Sequence, residues 1–179
     1  MLKLTGWTVV DQLPDDPRMV AIFAPHTTNW DFFYMLMAVY SVGIIPNWIG
    51  KKALFWGPLG WISRGLGGIP VDRSQRLNAV EQNAAAMKAS DHMILGIAPE
   101  ATRSKANYWR SGFYHIARLA EVPIHFAYID FPSKTAGLVA GFYPSGDMQA
   151  DLELIRKVFQ GKQGKYPEKM GEIQFKPAD

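Results

Sequence analysis

The feature that most constrains the fold is the alternation of short apolar runs with longer segments of helical composition. Runs such as residues 19–24 and 92–98 have the length of buried strands, and turn-forming residues bound them. Residues 77–89 are rich in Ala, Glu, Gln and Met, which is typical of a helix. Strands that alternate with helices predict an α/β fold with a mostly parallel or mixed central sheet flanked by helices. The other predicted strands are residues 47–50, 68–71, 123–129 and 137–142, and the other predicted helices are residues 29–40, 54–66, 112–120 and 151–159.

The length of 179 residues predicts a single domain over residues 1–179. The tail from about Gly161 is rich in Lys, and we expect it to be only partly ordered. Cysteine is absent, which excludes disulfides, a thiol nucleophile and zinc sites built on thiolates. The N-terminus has no long apolar segment of the kind that signal peptides carry, so the sequence predicts a cytoplasmic protein.

The charge is unevenly distributed along the chain. Residues 51–110 carry 9 basic and 4 acidic side chains, whereas residues 1–50 carry 2 basic and 4 acidic ones. A basic middle region indicates an anionic partner, such as phosphate, a nucleotide-bearing cofactor or an anionic membrane surface. No cluster of Lys and Arg with helical spacing accompanies it, so nucleic acid is not an expected partner.

Two features bear on membrane contact. Residues 32–50 contain no charged side chain, but polar and turn-forming residues interrupt this stretch. It therefore predicts a buried or membrane-facing helix and not a spanning one. Aromatic and cationic side chains then alternate in a way that suits the inner face of a membrane, with packing of the Trp residues in the core as the alternative. These side chains are Trp48, Lys51, Lys52, Phe55, Trp56, Trp61 and Arg64.

Polar clusters follow three of the predicted strands, at the point where each strand ends. In α/β sheets, ligands bind at the carboxyl ends of the strands. The three clusters are therefore expected to contribute to one site. They begin at His26, at Arg73 and at Glu100, after the strands at residues 19–24, 68–71 and 92–98.

The first cluster pairs a histidine with a carboxylate. Asp31 lies about one turn into the predicted helix, from where its carboxylate could reach back to one nitrogen of the His26 imidazole. Such a contact would fix the tautomer and leave the other nitrogen free to accept a proton. Thr28 and Asp31 also fit a capping box, so capping of the helix remains an alternative role. The chain has no G-x-S-x-G motif, so a base at His26 would activate a hydroxyl of the substrate.

The other clusters contain hydrogen-bond donors for an anion. Arg73 could bind an oxyanion in a bidentate manner, and Thr102, Arg103 and Ser104 offer donors suited to phosphate. Glu100 could orient Arg103 or bind a hydroxyl of the substrate. The alternative is an exposed loop with one weak ion pair. The remaining histidines lack acidic neighbours at ligand spacing, so no metal site is predicted.

Taken together, these segments resemble the glycerolipid acyltransferase family, whose members carry four ordered sequence blocks. The first block is His-x-x-x-x-Asp, matched by His26 and Asp31. The third block is Phe-Pro-Glu-Gly-Thr-Arg-Ser, in which Ala98 and Ala101 replace the family's Phe and Gly. Order and spacing agree from about residue 20 to 130. The other matching residues are Gly67, Ile69, Val71 and Arg73 in the second block, Pro99, Glu100, Thr102, Arg103 and Ser104 in the third, and Val122, Pro123 and Ile124 in the fourth.

The resemblance implies an enzyme of phospholipid biosynthesis. It would move a fatty acyl group from acyl-CoA or acyl-carrier protein to a hydroxyl of a phosphate-bearing glycerolipid precursor, such as lysophosphatidic acid. His26, oriented by Asp31, would act as the general base, and no metal or further cofactor is implied. The alternatives are an acceptor that is another lipid or an amine, hydrolysis of acyl thioesters, and a non-catalytic protein that binds lipid or acyl-CoA. The residues implied in acceptor binding are Arg73, Glu100, Thr102, Arg103 and Ser104.

Overall fold

Seven strands form one mixed sheet in a computed structural model that describes residues 5–11, 15–71 and 79–176. The strands are β1 (Thr8–Asp11), β2 (Arg18–Ala24), β3 (Asn47–Lys51), β4 (Gly68–Val71), β5 (Met93–Ile97), β6 (Ile124–Asp130) and β7 (Thr135–Phe142). The helices are α1 (Asn29–Ser41), α2 (Gly57–Gly65), α3 (Ala79–Lys88), α4 (Gly112–Ala120) and α5 (Met148–Phe159). The strand order is β1-β7-β6-β2-β5-β3-β4. Among the described strands, β6 and β7 are the one antiparallel pair, so the predicted α/β class with a mixed sheet is confirmed.

The central strand β2 is apolar on both faces because helices cover both sides of the sheet. Val20 and Ile22 belong to one buried cluster, and Met19 and Ala21 belong to another. A strand that is buried on both faces has a continuous apolar sequence, and this pattern predicts β2. The two clusters form the core on either side of the sheet.

The helices present apolar stripes to these two clusters. In α4, Phe113, Ile116, Ala117 and Ala120 are buried at the three- and four-residue spacing of one helix face. This face packs into the cluster that contains Val20 and Ile22. On the opposite side of the sheet, α1 buries its own apolar residues against the second cluster. These residues are Met35, Ala38 and Val39.

Two elements differ from the prediction. The edge strand β1 was not predicted, and it pairs with β7. The helix predicted over residues 54–66 is divided into a 3₁₀ turn, Lys52–Phe55, and the helix α2. The helix predicted over residues 29–40 and the strand predicted over residues 47–50 are both present, as α1 and β3. Within the ranges that the structure describes, no helix has the length and apolar character needed to cross a bilayer.

The C-terminal segment, residues 161–176, is attached to the sheet more closely than its composition predicted. The Gln163 amide donates to Asp130 Oδ1 over 2.9 Å, and the Trp109 amide donates to the Gln174 carbonyl over 2.8 Å. The side chains of Ile173 and Phe175 pack against the core. Hydrogen bonds and apolar contacts therefore hold residues for which we expected only partial order.

Candidate active site

The pairing of β2 with β5 brings two of the predicted clusters together. These strands are parallel neighbours, with Ile22 paired to Ile97, so the segments that follow them leave the sheet at the same edge. The backbone amide of His26 donates to Oε1 of Glu100 over 3.0 Å. The structure thus joins the first and third sequence clusters through a direct hydrogen bond.

The imidazole of His26 is half-buried and lines a pocket at this end of the sheet. Its Nδ1 atom is buried and has no hydrogen-bond partner among the described residues. Burial lowers the pKa of His26 below its usual value of 6.5, the Asp31 carboxylate opposes this shift, and the Arg103 guanidinium adds to it. The ring is therefore neutral at pH 7, which is the form that accepts a proton. The other residues of this pocket include Glu100, Ser104, Trp109, Lys162, Lys169 and Met170.

Asp31 is fully buried, and its carboxylate binds the loop that carries His26. Oδ2 accepts from the backbone amides of Thr27 and Thr28 and from the Thr27 hydroxyl, while Oδ1 accepts from the amide of Lys165 over 3.3 Å. The contact with the Thr28 amide belongs to the capping box, which the sequence analysis gave as an alternative role for Asp31. No described hydrogen bond joins this carboxylate to the imidazole, so the predicted direct contact is not formed. Asp31 acts on His26 through its charge and through the shape of the loop.

Glu100 is a buried carboxyl of this site with a strongly raised pKa. Burial raises the pKa of its carboxyl from 4.5 to about 7, and hydrogen bonds from two backbone amides oppose part of that shift. Its Oε2 atom is buried without a partner among the described residues. Near neutral pH this carboxyl is partly protonated, so it is able to donate or accept a hydrogen bond in the pocket.

Replacing Glu100 with Gln is expected to stabilise the protein more at pH 8 than at pH 5. The folded protein holds the Glu100 proton more tightly than the unfolded chain, because the pKa is raised from 4.5 to about 7. Protonation of Glu100 stabilises the folded state fully below pH 4.5, and this stabilisation is lost as the pH rises to about 7. The free energy of unfolding that Glu100→Gln gains at pH 8, relative to pH 5, is on the order of 3 kcal/mol. Urea unfolding at both pH values measures it, with the exposed Glu81→Gln variant as control. An equal effect of Glu100→Gln at both pH values would contradict the shift.

The loop after β5 holds the remaining residues of the third cluster at the surface. Thr102, Arg103 and Ser104 are all exposed, and Nη1 of Arg103 donates to Oδ1 of Asn29 over 2.6 Å. This bond ties the loop to the first residue of α1. Ala101 has a φ of 55°, a left-handed conformation that favours glycine, the residue that the resembling family carries at this place. Arg73 lies outside the described residues.

Sequence reasoning did not assign the C-terminal segment to the site. The amide of Tyr166 donates to Thr27 Oγ1 over 3.1 Å, next to the contact between Lys165 and Asp31. A Cβ on Gly164 would lie 2.8 Å from the Thr27 side chain, so only glycine fits there. The hydrogen bonds of Lys165 and Tyr166 use backbone amides, so residue types do not reveal them. Within the described ranges, no three His, Asp or Glu side chains form a group that could bind a metal ion.

Comparison with known proteins assigns the family. Residues 8–130 match the family model described as Acyltransferase. The 1-acyl-sn-glycerol-3-phosphate acyltransferase of Streptococcus pneumoniae (strain ATCC BAA-255 / R6) is 30% identical over 132 residues, which are 73% of this chain and 48% of that protein. The chain thus spans about half the length of this relative, and no solved structure matches it. Because the family model covers more than half of the sequence, the chain belongs to the acyltransferase family.

Proposed function

We propose that the protein transfers a fatty acyl group from acyl-CoA or acyl-carrier protein to a hydroxyl of a phosphate-bearing glycerolipid precursor, such as lysophosphatidic acid. The observation that carries this proposal is the neutral, half-buried imidazole of His26 in a pocket that also holds the buried carboxyl of Glu100. Family membership and the similarity to a 1-acyl-sn-glycerol-3-phosphate acyltransferase support it.

In this mechanism, His26 acts as the general base. Its Nδ1 atom is enclosed by protein, so Nε2 takes the proton from the acceptor hydroxyl. The hydroxyl oxygen attacks the thioester carbonyl, and a tetrahedral intermediate forms. When that intermediate collapses, the bond from carbon to sulfur breaks and the imidazolium returns the proton to the departing thiolate. The products are an ester and a free thiol.

The surrounding residues have separate roles in this proposal. The negative charge of Asp31 favours the imidazolium as it forms, and its hydrogen bonds hold the loop of His26 in place. Glu100 binds the acceptor hydroxyl through its partly protonated carboxyl. Arg73 and Arg103 attract the acceptor's phosphate. Thr102 and Ser104 offer hydroxyl donors at the mouth of the site.

An acceptor panel with a labelled acyl donor tests the proposal. Lysophosphatidic acid, monoacylglycerol and a long-chain amine are each incubated with the protein and either acyl-CoA or acyl-carrier protein. We expect an acylated product with lysophosphatidic acid and slower product formation with the other acceptors. Product from the amine or monoacylglycerol alone would reassign the acceptor. Release of fatty acid to water alone would indicate a hydrolase, and binding without turnover would indicate a non-catalytic protein.

We also propose that the protein contacts the membrane surface through exposed apolar side chains of α1 and α2, above all Trp56 and Trp61. Trp56 and Trp61 are 86% and 82% exposed, which is unusual for such large apolar side chains. Trp56 follows β3 through the 3₁₀ turn, and β3 is parallel to β5, so this Trp lies at the same sheet edge as the site. A lipid acceptor would then enter from the membrane. The other large apolar side chains exposed on these two helices include Trp30, Phe33, Leu59 and Ile62.

Replacing both Trp56 and Trp61 with Ser is expected to weaken binding to vesicles of phosphatidylcholine and phosphatidylglycerol at least tenfold. Each exposed Trp would bury apolar area in the interface, where a large side chain contributes roughly 1.5–3 kcal/mol when fully buried. Co-sedimentation measures the change. Tyr143→Ser is the matched control, because Tyr143 is 63% exposed but follows the antiparallel strand β7 at the opposite edge of the sheet. An equal loss of vesicle binding in the double Trp variant and in Tyr143→Ser would contradict the proposal.

A further inference from the structure

The C-terminal segment places two lysines in the pocket of His26. Lys162 and Lys169 line the same pocket as His26 and Glu100. Neither lysine forms an ion pair with any residue that the structure describes. Glu100 is the one acidic residue among the described residues of this lining. The pocket thus has positive charge that the protein itself leaves without an anionic partner.

Aromatic rings orient both ammonium groups. Nζ of Lys162 lies 4.4 Å from the ring centroid of Tyr128, and Nζ of Lys169 lies 4.5 Å from that of Tyr166. A cation above a ring face keeps its ability to donate hydrogen bonds to a further group. The ring contacts therefore restrict each side chain and leave donors available for a ligand.

The backbone next to each lysine is fixed by hydrogen bonds. The Lys162 amide donates to the Phe159 carbonyl over 3.1 Å, and the next residue, Gln163, is bound to Asp130. Lys169 ends the 3₁₀ turn Pro167–Lys169, where its amide donates to the Tyr166 carbonyl over 3.0 Å. A site whose backbone is already ordered loses little entropy when an anion binds.

We propose that Lys162 and Lys169 bind the phosphate of the acceptor and so make the protein selective for phosphate-bearing acceptors. This inference rests on the proposed function. The phosphate of a lysophosphatidic acid is only a few bonds from the hydroxyl that His26 would deprotonate, so a cation for it must lie in the pocket of His26. The phosphates of acyl-CoA or of a carrier protein are separated from the thioester by the long pantetheine arm. Cations in this pocket therefore fit the acceptor and not the donor.

Kinetics of Lys162→Met and Lys169→Met test the assignment, because Met keeps much of the side-chain length and removes the charge. We expect each variant to raise the KM for lysophosphatidic acid at least tenfold, because the variant loses a charged hydrogen-bond donor to the phosphate. The KM for monoacylglycerol and for the acyl donor should not change. Lys162→Arg should retain most of the affinity. Lys157→Met is the control, because Lys157 is exposed on α5 and does not line the pocket.

Two kinetic results would overturn the inference. A higher KM for the acyl donor with an unchanged KM for lysophosphatidic acid would assign the lysines to the donor's phosphates. Equal losses with lysophosphatidic acid and monoacylglycerol would show that the lysines do not recognise phosphate.

A binding measurement separates this inference from the proposed function. If the wild-type protein acylates no acceptor, the proposed function fails, but calorimetry with lysophosphatidic acid still tests the two lysines. Binding that is weakened in Lys162→Met and retained in Lys157→Met would support the phosphate site. Binding that is the same in both variants, or absent in the wild type, would overturn it.

Discussion

Replacing His26 with Ala is expected to lower the rate of acyl transfer by about three orders of magnitude and to leave the fold intact. A general base contributes roughly 10²–10⁴ in rate, so loss of the proposed base should lower the rate by a factor within that range. The imidazole is half-buried, and its Nδ1 atom forms no hydrogen bond with a described residue. Removing the imidazole therefore breaks no hydrogen bond between Nδ1 and the described residues, so the melting temperature should change little.

The control for this variant is His92→Ala. His92 is exposed and lies at the opposite end of β5, just before its first residue, Met93. We expect its transfer rate to match that of the wild type. A similar loss in both variants would indicate a general effect of histidine removal and would contradict the assignment of His26.

Replacing Asp31 with Ala is expected to reduce both stability and activity. The carboxylate is fully buried and accepts hydrogen bonds from the backbone amides of Thr27, Thr28 and Lys165. A buried donor that loses its acceptor costs about 1–3 kcal/mol, so the free energy of unfolding should fall by roughly 3 kcal/mol. Urea unfolding measures this change, and the labelled transfer assay measures the loss of rate.

Asp31→Asn and Asp91→Ala separate the two roles of this carboxylate. Asn keeps an oxygen acceptor but removes the charge, so we expect most of the stability to return while the transfer rate stays low. Asp91 is exposed, and its removal should affect neither quantity. A fully stable Asp31→Ala protein would contradict the hydrogen bonds that the structure assigns to this residue.

The sheet and its helices were largely predictable because burial leaves a strong pattern in the sequence. The central strands β2 and β5 are continuous apolar runs, since both faces of the sheet are covered. The edge strand β1, Thr-Val-Val-Asp, was missed, although the equally short edge strand β4 was predicted. Its pairing with β7 depends on a contact between distant parts of the chain, which local composition does not encode.

The candidate site was predictable only in part. The rule that ligands bind at strand ends correctly brought His26 and Glu100 together. The position of Asp31 about one turn into the helix predicted a contact with the imidazole, but backbone amides at the helix start bind its carboxylate instead. The approach of the C-terminal segment was not predictable, because the amides of Lys165 and Tyr166 make its contacts with the loop of His26. Any residue except proline offers such an amide, so the sequence carries no trace of these bonds.

The measurement that tests the central claim most directly is the rate of acyl transfer by His26→Ala with and without added imidazole. If His26 is the base that deprotonates the acceptor, the variant should transfer almost no acyl group by itself. Free imidazole should then increase its rate in proportion to concentration, without a comparable effect on His92→Ala. Transfer by His26→Ala at close to the wild-type rate in the absence of imidazole would contradict the mechanism.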